Sequence, residues 1–425
     1  MLIDKAFFGA PYFLELINKM TRISLCGFIV FISLLVPLCA NAVDKSVNEK
    51  MEFWSEQRKG ANYFSVTPDE TWFIAAQDLG VSWVRMTYAK WSGEQRDFLA
   101  GNLDNYQGLV EADIEKLLQV LDWAHAHQIK VVVVPLSLPG NRWVQQNNRK
   151  LDLRLWNDKK YWQAAEQFWR DLAGVLKDHP AVYAYNLINE PIPEMHTGLA
   201  EHGDPKRFVG WYQQHQNSAR DLPAFYTRLI SAIRDVDTRT PIMLDAGWYA
   251  QPNAFTYWPA LNDENLLYAF HMYEPYEFTN LKNFKEKKGY RYPGNIPFDG
   301  GVLPWNKQRL NDYLEPMLRW AKLQNIPANR IVAGEFGCYR RNPGCAEYLN
   351  DLIDLFNQKQ FHWAFYSYRE DEWDGFDYEV GTGELGWKYW QAVEEGKHPQ
   401  PPRGDNPLFQ VIKKEFKQPA DKTLN

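Results

Sequence analysis

Residues 182–191 read Val182-Tyr183-Ala184-Tyr185-Asn186-Leu187-Ile188-Asn189-Glu190-Pro191. An apolar, aromatic and β-branched run gives way to polar residues and a proline, the pattern of a strand that ends in a loop. Pro191 lacks an amide donor and fixes the chain direction just after Glu190. The stretch before it, with Phe168, Leu172, Val175 and Leu176 at spacings of three and four, predicts an amphipathic helix. A helix feeding a short apolar strand is the repeating unit of a parallel sheet wrapped by helices.

Outward from this unit the same alternation recurs. Strands are expected over 60–64, 81–87, 130–136, 182–188, 241–246, 265–271, 330–335 and 361–367, with helical faces such as Ile114, Leu117, Leu118 and Leu121 between them. Eight such units predict an α/β fold of the (β/α)8 barrel type, and the 425-residue chain, 45% hydrophobic and 15% aromatic, can bury one large core. Loops after strands build the active face of such a barrel, so the long segments 192–220 and 274–305 are expected to wall a cleft. One catalytic domain is expected over 43–396. The composition of 397–425 shifts to Pro, Lys, Gln and Asp, which predicts a loosely packed tail.

A net charge of −6 spread without basic clusters excludes the electrostatic footprint of a nucleic-acid binder and favours an uncharged ligand. Lys19 and Arg22 precede an apolar run over 23–38 and the small-residue site Ala40-Asn41-Ala42, the signature of an export signal cleaved after Ala42. Met20 is a natural start for that signal. The expectation is therefore a secreted, extracellular or periplasmic, monomeric protein without stable membrane insertion. Leu38 before Cys39 argues against lipidation, and signal removal leaves Cys338 and Cys345, close across a Pro-Gly loop, which an oxidising compartment would pair.

Two glutamates stand where a predicted strand becomes a loop: Glu190, and Glu335 within Ile331-Val332-Ala333-Gly334-Glu335-Phe336-Gly337. Glycoside hydrolysis requires one carboxyl held protonated to release the leaving group and one ionised, so two acids facing one cleft are its minimal machinery. These motifs resemble glycoside hydrolase family 5, cellulase-like barrel enzymes that cleave with retention, and the resemblance covers roughly 60–396. It implies that Glu190 is the acid/base, Glu335 the nucleophile, and Asn189 a ligand of the substrate 2-hydroxyl. It further implies that Arg85, in Val81-Ser82-Trp83-Val84-Arg85-Met86, keeps the nucleophile ionised. His271 and Tyr273, in Phe270-His271-Met272-Tyr273, match a pair in which the histidine lines the sugar site and the tyrosine bonds the nucleophile. Two positions depart from the family pattern: Leu136 stands where a histidine is usual and Tyr366 where a tryptophan is usual.

The 18 tryptophans bear on substrate, because flat rings stack on the apolar faces of pyranoses. Trp123, Trp162, Trp169 and Trp320 fall on predicted helices and are read as packing, whereas Trp248, Tyr249, Trp305 and Trp373 follow strands; Trp248 and Trp373 are expected in the cleft together with Tyr366. Gly381-Thr382-Gly383-Glu384-Leu385-Gly386 spells a dinucleotide-binding pattern, but no βαβ unit follows it. His125 and His127, two apart on a helix, point in different directions and do not form a metal pair. No metal or organic cofactor is implied. The expected function is retaining hydrolysis of a β-linked polysaccharide or oligosaccharide, such as a β-glucan or mannan; the alternatives are a glycoconjugate or glycosylceramide hydrolase and a non-catalytic carbohydrate-binding barrel.

Overall fold

A computed structural model describes residues 48–416 apart from 372 and 398. The expected signal over 1–42, with Met20 and Cys39, lies outside the described residues, as does the chain beyond residue 416. Eight parallel strands close a barrel in sequence order. They are β1 (Lys59–Tyr63), β2 (Trp83–Met86), β3 (Lys130–Val133), β4 (Val182–Asn186), β5 (Ile242–Asp245), β6 (Leu266–Met272), β7 (Ile331–Phe336) and β8 (His362–Phe365). The pairing of β8 with β1, Lys59 opposite Trp363, completes the ring.

The predicted runs differ from these strands only at their ends. Helices such as Glu111–Ala126, Lys160–Leu176 and Leu222–Arg234 cover the outside. On Lys160–Leu176 the apolar stripe buries Phe168, Leu172 and Leu176, but Val175 lies at its edge, 37% exposed.

The barrel interior is divided by depth. Near the strand starts a separate apolar cluster is built from Trp83, Val132, Ala184, Met243, Leu267, Val332 and Ala364, one from each of seven strands, together with Ala269 and Trp54. The eighth strand supplies Gly60, where any Cβ would stand 2.5 Å from the Trp83 ring, so the missing side chain makes room for the indole. Trp54 follows the short helix Glu49–Phe53 and packs edge-on against Trp83 and His362, with its Nε1–H donating to the Tyr183 carbonyl at 3.2 Å. It therefore plugs the end from which the strands start. Toward the strand ends the interior becomes polar, with Asn62, Arg85, Asn186, Asp245, His271 and Glu335 all buried.

The segments after β4 and β6 wall the cleft, as expected, but carry structure of their own: the helix Pro205–His215 in the first, and the hairpin of Gly294–Phe298 with Gly301–Trp305 in the second. The C-terminal segment corrects the expectation of a loose tail. Pro407–Phe416 is a helix that buries Leu408, Phe409, Ile412 and Phe416 against the helix Cys345–Lys359, and Glu415 pairs with Lys59 at 2.7 Å. Its four apolar positions have helical spacing, but the Pro-rich and charged flanks mask so short a stripe in composition.

Candidate active site

A cleft of about 760 Å³ opens above the strand ends, lined among others by Glu190, Tyr249, His271, Tyr273, Tyr366 and Trp373. Glu190 and Glu335 meet there, with a carboxylate oxygen of each and a ring nitrogen of His271 all within 4.8 Å of one another.

The two carboxyls have different surroundings. Glu335 Oε1 accepts from Arg85 Nη1 at 2.6 Å and Oε2 from the Tyr273 hydroxyl at 2.7 Å. A guanidinium and a phenol thus each donate to a separate oxygen of this carboxyl. Glu190 Oε1 faces His271 Nδ1 at 2.7 Å. Burial pushes the Glu190 carboxyl up, against the hydrogen bond from His271. The imidazole is held up in turn: burial opposes its charge, but Glu335, Asp245 and Glu190 outweigh it. Glu190 takes a left-handed backbone, φ +49°, uncommon for a residue with a side chain.

Arg85 organises the layer beneath. Its Nε donates to Asn186 Oδ1 at 2.8 Å and its Nη2 to Asn189 Oδ1 at 2.6 Å, which leaves the Asn189 amide hydrogens for a substrate hydroxyl. Nη2 also pairs with Asp245 at 3.2 Å. Asp245 and Asn186 were absent from the sequence reading, although an acid closing the apolar strand Ile242-Met243-Leu244-Asp245 is the signal that marks such a position.

Of the expected aromatics, Trp373 and Tyr366 line the cleft, and Trp248 does not. The turn after β5 runs through three successive left-handed residues, Trp248, Tyr249 and Ala250. It is drawn tight by the Trp248 N–H donating to buried Glu194 at 3.0 Å. This twist buries Trp248 in the core, 7% exposed, and presents Tyr249 to the cleft instead. Trp305 is buried within its hairpin.

Leu136 packs with Phe64 and Ala89, beside Trp143 and Tyr366, so an apolar wall replaces the usual histidine. The Tyr366 hydroxyl donates to Glu370 at 3.1 Å, and Glu370 is paired with Lys90, whose ammonium lies 4.0 Å from the Phe64 ring centroid. On the wall formed by the segments after β4 and β6, Glu201, His202 and Glu274 converge, His202 Nε2 lying 3.3 Å from Glu274. Burial raises Glu274 to about 7 and lowers His202 to about 4. Just past Glu335, Cys338 and Cys345 form the expected disulfide, their Cα atoms 5.8 Å apart.

Comparison with known proteins agrees with this fold. Residues 45–372 match the sequence profile of the cellulase family, glycosyl hydrolase family 5. The chain is 21% identical over 339 residues to a β-xylosidase of Phanerodontia chrysosporium, and 26% identical over 249 residues to endoglucanase 3 of Fibrobacter succinogenes. These matches take in 77% and 50% of the chain but only 60% and 33% of those two proteins. The fold is similar to that of endoglucanase Cel5A from Thermotoga maritima, with a TM-score of 0.55 at 16% identity over 77% of this chain and 93% of that one. With one cleft carboxyl just after β4 and another on β7, and with a profile match over most of its length, the chain belongs to the cellulase family, glycosyl hydrolase family 5.

Proposed function

We propose that this protein hydrolyses a β-linked glycan with retention of anomeric configuration, Glu190 acting as acid/base and Glu335 as nucleophile. The observation that carries this reading is the approach of the two carboxyls to within 4.8 Å, with Arg85 and Tyr273 on one and burial acting on the other. Retaining enzymes hold their carboxyls about 5–5.5 Å apart, whereas inverting enzymes leave about 6.5–9.5 Å for a water. In the first step Glu335 attacks the anomeric carbon while Glu190 gives its proton to the departing glycosidic oxygen. In the second, Glu190 takes a proton from water, which displaces the sugar from the Glu335 ester.

The occupants of the cleft walls support a β-glycan other than plain cellulose, because Leu136 and Tyr366 substitute an apolar wall and a phenol for two usual sugar contacts. Export and an extracellular or periplasmic location belong to the same proposal, supported by the leader-like N-terminus and the disulfide. Turnover of aryl β-glycosides and of a panel of cellulose, mannan, xyloglucan and β-1,3-glucan tests the reading. Glu335→Gln is expected to abolish it, and proton NMR should find the first-formed sugar in the β configuration. An α product, or undiminished turnover by Glu335→Gln, overturns the proposal.

A further inference from the structure

Asp245 ends β5 beneath the cleft, fully buried, and its carboxyl touches Arg85, Asn186, His271 and the backbone of Glu190. Its Oδ1 accepts from the Asn186 amide at 2.9 Å. Its Oδ2 accepts from Arg85 Nη2 at 3.2 Å and from the Glu190 backbone N–H at 3.1 Å. The same oxygen lies 3.6 Å from His271 Nε2, an ion-pair distance, and that nitrogen has no hydrogen-bond partner among the described residues. The charged groups around the imidazole are thus Glu190 from the loop after β4, Asp245 from β5 and Glu335 from β7, with Arg85 of β2 between the last two.

We propose that Asp245 is a positioning residue that makes His271 an imidazolium and thereby places the proton of Glu190 on the oxygen facing the substrate. This inference rests on the acid/base role of Glu190 argued above. The charge count carries it. Arg85 alone would balance Glu335, and a neutral histidine would suffice. Asp245 adds a second buried negative charge, and a buried charge without a counter-charge is costly. His271 is the group within reach that can supply the counter-charge.

The proton consequence is geometric. An imidazolium donates through both nitrogens, so Nδ1–H donates to Glu190 Oε1. The Glu190 proton then sits on Oε2. A neutral ring with its hydrogen drawn to Nε2 by Asp245 would instead accept at Nδ1, and the carboxyl would turn its proton toward the ring. When Glu335 becomes an ester it loses its charge, leaving the cluster with an excess positive charge that favours ionised Glu190 for the second step. The hydrogen bond from the Glu190 N–H to Asp245 also restrains the left-handed backbone on which the side chain is aimed.

Asp245→Asn is nearly isosteric and removes one negative charge. The alkaline limb of the kcat/KM profile is expected to move to lower pH by about one unit, because every proton affinity in the cluster falls when a nearby anion is removed. A folded variant whose profile keeps its shape and position while kcat drops would show a packing role only, and overturns the inference. If the variant does not fold, nitrogen-15 NMR of the histidine-labelled unmutated protein decides, with His271 assigned by the signal lost in His271→Asn. Two protonated ring nitrogens at pH 7 support the inference, and a neutral ring overturns it. Either result is separable from the hydrolase reading, which falls only if Glu190 and Glu335 prove dispensable.

Discussion

Glu190 combines a left-handed backbone with a carboxyl that burial holds up and His271 contacts at 2.7 Å. A non-glycine residue in that region costs roughly 1–2 kcal/mol, and the hydrogen bond from its N–H to Asp245 restrains it there. The raised Glu190 carboxyl remains protonated to higher pH than a free glutamate, which is what the proposed acid role requires. Glu190→Gln should therefore lower kcat/KM by about 10²–10⁴ on substrates with poor leaving groups, and by much less on activated aryl glycosides that need no protonation. A series of aryl glycosides of graded leaving-group acidity measures this. A uniform loss across the series would remove Glu190 from the acid role.

At the scale of elements, the loop after β7 is closed by the disulfide Cys338–Cys345, which begins three positions past Glu335. Gly344 makes the closure feasible: its φ is +93°, and a Cβ there would stand 1.8 Å from the Tyr292 carbonyl oxygen. A cross-link over so short a loop stabilises by about 2.5 kcal/mol in the chain-entropy account. The double variant Cys338→Ser/Cys345→Ser is expected to lose about that amount in denaturant unfolding. An unchanged midpoint would show that packing, not the covalent link, holds the loop. The turn after β5 makes a related point: its three left-handed residues exchange Trp248 for Tyr249 in the cleft, an outcome decided by the grip of Glu194 on the Trp248 amide.

Across the whole molecule, buried acids set how stability varies with pH. Burial raises Glu194 and Glu274 from an ordinary 4.5 to about 7 each. An acid raised on folding costs nothing below its unfolded value. Stability is lost as pH climbs from about 4.5 to 7, by roughly 3 kcal/mol for a fully buried group. Asp104 runs the other way, held near 2 by Arg142 and Arg154, so its contribution is lost only as pH falls below about 4. The melting temperature is expected to peak near pH 5 and to be lower at pH 8, with Glu194→Gln flattening the decline between them. A higher melting temperature at pH 8 than at pH 5 would contradict this assignment.

The sequence by itself determined the barrel, its strand order and the presence of a glutamate at the ends of β4 and β7. Those features are local: apolar period, strand length and a polar residue at a strand end are written in consecutive positions, and Glu190 and Glu335 could be placed from them. Arg85, Asn189, His271 and Tyr273 were placed through the family resemblance, since nothing in their own neighbourhoods names their partners. Only the tertiary structure decided what depends on contact between distant segments. Asp245 gains its place from Arg85, Glu190 and His271, which lie 160, 55 and 26 positions away. Trp248 is buried and Tyr249 presented because a backbone turn answers to Glu194, and the helix Pro407–Phe416 forms because the helix Cys345–Lys359 offers a face to cover. Burial, charge balance and backbone strain are properties of the packed molecule, and they determine which of the legible residues face a substrate.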